Sequence, residues 1–84
     1  MQKAAGYERE ATGRAWRRIR HRIMSRDCGL CQACQRAGKL ALATEVDHKL
    51  PVWDGGTDEE HNLEALCAPC HRVKTAAEAT ERAG

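Results

Sequence analysis

The first periodic stretch of the chain begins after Thr12. Ala15, Trp16, Ile19 and Ile23 recur at near-helical spacing, with Arg14, Arg17, Arg18, Arg20 and Arg22 between them. Apolar side chains three and four apart fall on one face of a helix, and Thr12 is a residue type that caps one. The pattern predicts an amphipathic helix over 13–26, with Trp16, Ile19 and Ile23 turned to the core and Trp16 as an anchor. A tight cysteine-bearing turn follows at 28–38. Residues 40–48 end in an alternating stretch that suits a strand, and Leu63-Glu64-Ala65-Leu66 alternates again as a short second one. Between them, Pro51 and the run Asp54-Gly55-Gly56-Thr57-Asp58 mark a loop. Pro69 suits the first turn of a helix, where its missing N–H costs nothing. From Cys70 to about Arg82 the chain is rich in Ala and Glu with no breaker, so a last helix is expected. Residues 1–11 read as a flexible N-terminal segment, and 12–84 as one domain without repeats or an internal linker. The predicted order is helix, knuckle, hairpin, helix.

Composition changes the picture by showing how thin the core must be. The chain has 84 residues, of which 42% are apolar, but 14 of those are Ala and 5 are Cys. Leu, Ile and Val number 11, and Phe is absent. Charged residues make up 31%, so solvation competes with collapse. A core of this kind rarely contributes more than about 3–5 kcal/mol, so a further staple is required. No stretch reaches the ~20 apolar residues of a membrane span, and MQKAAGYERE holds no apolar run that could serve as a signal peptide. The expected setting is cytoplasmic, where thiols stay reduced. An odd number of cysteines also fits a disulfide framework poorly, which leaves a metal as the staple.

Net charge is only +2, yet residues 1–26 carry +6, residues 27–66 carry −5 and residues 67–84 carry +1. A basic segment beside an acidic one suggests a polyanion-docking surface next to a cation site, with nucleic acid the common polyanion. The alternative is an Arg-rich helix that is merely solvated.

Two Cys-x-x-Cys pairs, Cys31/Cys34 and Cys67/Cys70, carry the metal expectation. Two residues between thiols let a tight turn aim both sulfurs at one point, and two such turns complete a tetrahedron around Zn²⁺. Cys28 extends the first pair to Cys-x-x-Cys-x-x-Cys, as in a ferredoxin run. The fourth cluster ligand would fall at Gly38, so an iron–sulfur site fails. Cys31/Cys34 is taken as the pair and Cys28 as spare, with its participation left open.

Asp47-His48, Asn62 and His71 are the remaining chemical residues. Adjacent positions on a strand point to opposite faces. His71 follows Cys70 and is therefore placed by the same zinc. If the strand packs on the last helix, Asp47 and His71 can share a divalent cation, with His48 facing a phosphate site from the other side and the Asn62 amide bridging loop backbone to fix His48. Taken singly, each also has a plain reading: surface histidines, a turn aspartate, or His71 replacing one cysteine on zinc.

Together, Glu45-Val46-Asp47-His48-Lys49-Leu50-Pro51, Asp54-Gly55-Gly56-Thr57-Asp58, Asn62-Leu63-Glu64-Ala65-Leu66-Cys67 and Cys70-His71-Arg72-Val73-Lys74-Thr75 resemble an HNH endonuclease. The likeness is to the zinc-containing kind found in bacteriophages and mobile elements. It reaches upstream through Arg26-Asp27, Cys31/Cys34 and Ala15-Trp16-Arg17, and covers about residues 12–77. The resemblance implies an α+β, zinc-stabilised ββα-metal domain with an added N-terminal helix. It implies His48 as general base, Asp47 and His71 as ligands of a catalytic Mg²⁺, Mn²⁺ or Ni²⁺, Asn62 as the residue holding the His48 loop, and Cys31, Cys34, Cys67 and Cys70 as structural zinc ligands. The expected activity is hydrolysis of DNA phosphodiesters with little sequence preference, with Arg17, Arg18, Arg72 and Lys74 on the phosphate backbone. Rival expectations are a non-catalytic zinc-bound nucleic-acid-binding module and an accessory subunit active only with a partner, for instance in phage packaging. The sequence leaves the oligomeric state open.

Overall fold

The computed structural model describes residues 13–83. The Thr12 cap and the 1–11 segment lie outside the described residues. Helix α1 (Gly13–Arg26) coincides with the predicted amphipathic stretch. Its core contact is narrower than expected. Ile23 is fully buried, whereas Ile19 and Trp16 are only half-buried. A left-handed turn at Cys28 (φ 57°) and Gly29 (φ 67°) leads out of α1. The knuckle is then tied to the following segment by Cys31 N–H donating to the Ala41 carbonyl at 2.8 Å and Ala43 N–H to that of Gly29 at 2.8 Å. Within it, α2 (Gln32–Arg36) is a single short helix capped by the Cys31 sulfur, which accepts from the Cys34 N–H.

Strands β1 (Glu45–His48) and β2 (Leu63–Leu66) form an antiparallel pair in which Asp47 faces Glu64 and His48 faces Leu63. The connecting loop holds two 3-10 turns, Val52–Asp54 and Glu60–Asn62. Helix α3 (Ala68–Ala83) starts two residues earlier than expected, with Pro69 in its first turn. Among the described residues no helix is long and apolar enough to cross a membrane.

β2 departs from the alternation its sequence suggests, because all four of its residues are buried. It lies in contact with β1 and with both α1 and α2, so neither of its faces is left to solvent. Glu64 can be buried there because Arg36 closes on it, Nη1 to Oε1 at 2.9 Å. Leu66 packs with Cys31 and Cys67 in one apolar cluster, and Ile23, Leu63 and Ala65 are buried as well. Leu40, Leu42 and Val73 remain exposed, which confirms how little apolar surface the fold removes from water.

Arg26 and Asp27 latch α1 to β2. The Arg26 guanidinium donates to the Glu60 and Leu63 carbonyls, each at 2.7 Å, and forks onto Asp27 at 2.9 and 3.0 Å. Asp27 Oδ2 in turn accepts the Ala65 N–H at 3.0 Å. Burial pushes the Asp27 carboxyl up, but the Arg26 fork and the Ala65 N–H outweigh it and hold the group below its ordinary range.

Candidate active site

The knuckle and the start of α3 bring Cys31, Cys34, Cys67 and Cys70 together, with all four sulfurs within 4.8 Å of one another. Cys34 Sγ lies 3.8 Å from that of Cys67 and 3.7 Å from that of Cys70. Four thiolates at the zinc–sulfur distance of about 2.3 Å stand about 3.8 Å apart on a tetrahedron. The donor set and its spacing therefore fit zinc. Cys28 is exposed and outside this cluster. Burial would push the Cys31 thiol up, but backbone N–H groups of Cys67 and Cys34 donate to its sulfur and bring it down to about 6. Cys70 is pushed up to about 12 by the sulfurs of Cys67, Cys34 and Cys31 around it, and Cys34 is raised by its bond to Cys31. Four thiolates cannot coexist this closely without a cation to balance them.

Successive residues of β1 serve two compartments. Asp47 looks toward α3. Its Oδ2 is buried and receives no well-directed hydrogen bond, although His71 Nε2 lies 3.9 Å away and Lys74 Nζ 3.1 Å away. Its Oδ1 accepts the His48 N–H at 2.8 Å, which fixes the carboxylate. A buried carboxylate oxygen on a fixed carboxylate, beside an imidazole nitrogen, is a donor pair suited to a divalent cation. Lys74, expected on the phosphate surface, is instead turned inward, paired with Asp47 and with Glu78 one helical turn on. Burial works against its charge, but the Glu78 and Asp47 carboxylates outweigh it and raise its pKa.

His48 looks the other way, toward α1, and is buried. Trp16 stacks on its imidazole with ring centroids 5.8 Å apart and planes 16° from parallel. Trp16 is thus the wall of the His48 compartment rather than the core anchor its spacing suggested. His48 Nε2 lies 2.6 Å from Asp58 Oδ1.

Asn62 organises the loop between the strands. Its Oδ1 accepts the Leu50 N–H at 2.9 Å, and its Nδ2 donates to the carbonyls of Leu50 at 3.0 Å and Thr57 at 2.8 Å. The Asn62 carbonyl also accepts the Lys49 N–H at 2.7 Å. Gly56 is what permits this closure, since a Cβ there would lie 1.7 Å from the Leu50 oxygen and 2.9 Å from Asn62 Nδ2.

The basic surface is divided. Arg14, Arg17, Arg18, His21 and Arg22 line one groove on α1, and Arg72 is exposed on α3. Arg20 instead bonds the Thr44 carbonyl, and Arg22 also bonds Glu60. Sequence reasoning gave no role to Asp58 or Glu78. For Glu78 a signal was present, because His71, Lys74 and Glu78 at i, i+3 and i+7 share one helical face.

A hairpin backed by a helix, with four cysteines gathered beside it, is the ββα-metal architecture. Residues 31–77 match the family model described as HNH endonuclease, and the chain belongs to that family. A crystal structure of the HNH endonuclease of the deep-sea thermophilic bacteriophage GVE2, determined with manganese ion, superposes with a TM-score of 0.74. It is 36% identical, over 86% of this chain and 79% of that one. The Gene 4 protein of Mycobacterium phage D29 is 38% identical over 60 residues. That match takes in 71% of this chain, which spans only 57% of that relative's length.

Proposed function

We propose that the protein is a metal-dependent endonuclease that hydrolyses phosphodiester bonds of DNA with little sequence preference. The observation that carries this reading is the division of labour on β1. Asp47 presents a buried oxygen to His71 and Lys74 on one face, and His48 sits in its own compartment on the other. Asp47 and His71 would hold one divalent cation, Mg²⁺, Mn²⁺ or Ni²⁺, which when bound supplies positive charge for the scissile phosphate and leaving oxygen. His48 takes the proton from the attacking water. Asn62 keeps the loop carrying the His48 compartment closed. Cys31, Cys34, Cys67 and Cys70 bind a structural Zn²⁺ that fixes α3, and with it His71, against the hairpin. Arg17, Arg18 and Arg72 contact the phosphate backbone, which positions DNA without reading bases. Five cysteines without a disulfide among them suit a reducing, cytoplasmic setting.

The test is relaxation of supercoiled plasmid by the zinc-loaded protein with added Mg²⁺, Mn²⁺ or Ni²⁺, comparing wild type with His48→Ala. Divalent-dependent nicking by wild type and its loss in the variant supports the reading. Equal cleavage by both removes His48 from the role of base, and DNA retardation without any cleavage replaces the enzyme with a binding module.

A further inference from the structure

We infer that Asp58 is a positioning residue for His48: its carboxylate holds the imidazole as the Nε2–H tautomer and so leaves Nδ1 as the nitrogen that accepts the proton of the attacking water. The inference rests on the reading of His48 as the base and extends it to an atom and a second residue.

The geometry is specific on each side of the ring. Asp58 Oδ1 lies 2.6 Å from His48 Nε2, and the two side chains are only 9% and 10% exposed. An ionised carboxylate can only accept a hydrogen bond, so the Nε2 facing it carries the hydrogen. A neutral imidazole then has one lone pair left, on Nδ1. Trp16, stacked on the imidazole, opposes tilting of the ring out of its plane. The Nε2–H bond to Asp58 opposes rotation about the bond joining ring to Cβ. Without either, a histidine ring has two near-equivalent flips and two tautomers, of which one combination offers Nδ1 to water.

Asp58 is itself placed by Asn62. The Asn62 amide holds the Thr57 carbonyl at 2.8 Å, one residue before Asp58, and the buried Gly56 lets the loop close on it. The influence of Asn62 on His48 therefore runs through Thr57 and Asp58. In the chemical step, one proton passes from water to Nδ1. The hydroxide oxygen bonds to phosphorus as the bond to the leaving oxygen breaks. The Nε2 hydrogen stays on the ring, and the adjacent Asp58 carboxylate faces the imidazolium so formed. The leaving oxygen recovers a proton from solvent.

Long-range ¹H–¹⁵N correlation spectra of the zinc-loaded protein read the tautomer directly, with the His48 signals assigned by their loss in His48→Ala. Wild type should show the Nε2–H form. Asp58→Asn, whose amide can donate as well as accept, should admit the Nδ1–H form. It should also lower kcat for plasmid nicking on the order of 10²-fold, with KM within about threefold. A purely structural Asp58 would move the melting temperature and leave the tautomer alone. An Nδ1–H signal in wild type overturns the inference whether or not any variant folds. So does an Asp58→Asn protein with the wild-type tautomer and kcat. Undiminished cleavage by His48→Ala would instead defeat the assignment of the base, even with the Nε2–H signal in place.

Discussion

Lys74 places its ammonium 3.1 Å from the buried Oδ2 of Asp47, the oxygen that would otherwise face His71 with nothing to balance its charge. Glu78 holds the same ammonium from the other side. A lysine in this position keeps the metal-free site electrically tolerable, and it opposes any divalent cation that arrives. Two like charges about 4 Å apart at an effective dielectric of 20 repel by about 4 kcal/mol, and partial exposure reduces that figure. Lys74→Met should therefore tighten Mn²⁺ binding on the order of tenfold, read by calorimetry. Unchanged or weaker binding would mean that Lys74 does not share the cation's field.

The hairpin loop depends on the absence of a side chain at Gly56. Gly56→Ala would drive a methyl group into the Leu50 carbonyl and the Asn62 amide. Overpacking of this kind costs about 1–3 kcal/mol. The urea midpoint of the zinc-loaded protein should fall accordingly, and plasmid nicking should fall with it, because the displaced amide is the one that orders the loop up to Thr57. A variant of wild-type stability would show that the loop closes by another route.

The Arg26–Asp27 latch should be visible in acid. Asp27 has its pKa lowered in the fold. It contributes stability that is present above the ordinary carboxylate value and is lost as pH falls through the lower, folded one. Asp27→Asn should cost about 1–3 kcal/mol near neutral pH, since it loosens the fork and the bond to the Ala65 N–H. The cost should shrink as the medium becomes acidic. Thermal melts of both proteins in excess zinc, from neutral pH down to the point where bound zinc is still retained, check this. A pH-independent difference would assign the loss to packing alone.

Zinc must displace protons from the knuckle. The chain without zinc is unfolded, and its thiols then have the ordinary value of about 8.5, so zinc binding by the four cysteines should release close to four protons and affinity should fall by up to roughly 10⁴-fold for each unit of pH lost near neutrality. Calorimetry in buffers of different ionisation enthalpy counts the protons. Chelation or Cys67→Ser should unfold the domain, since the metal supplies on the order of 10 kcal/mol. A melt unchanged by Cys67→Ser would contradict the staple.

How far the sequence revealed this arrangement depends on the range of the interaction. Helix α1, the two strands and the cysteine pairs are matters of local spacing, and each lies close to where periodicity put it. The opposition of Asp47 and His48 also follows from the strand period alone. Trp16 shows the limit: its position marks an inward face, but only the packing of α1 beside β1 decides that an imidazole is what it meets. Asp58 and Arg36 were illegible for the same reason, since their partners stand 10 and 28 residues away and are chosen by chain closure. Lys74 was misread from charge, which favours solvent. The half-buried carboxylate of Asp47 and the neighbouring Glu78 reverse that preference.

The sharpest measurement pairs Mn²⁺ binding with plasmid nicking on three zinc-loaded proteins: wild type, Asp47→Ala and His48→Ala. The account predicts that Asp47→Ala loses both binding and nicking, while His48→Ala binds Mn²⁺ as wild type does and has lost nicking by on the order of 10²-fold or more. Retained nicking in His48→Ala, or retained Mn²⁺ binding in Asp47→Ala, would contradict the claim that adjacent residues of β1 divide cation and base between them.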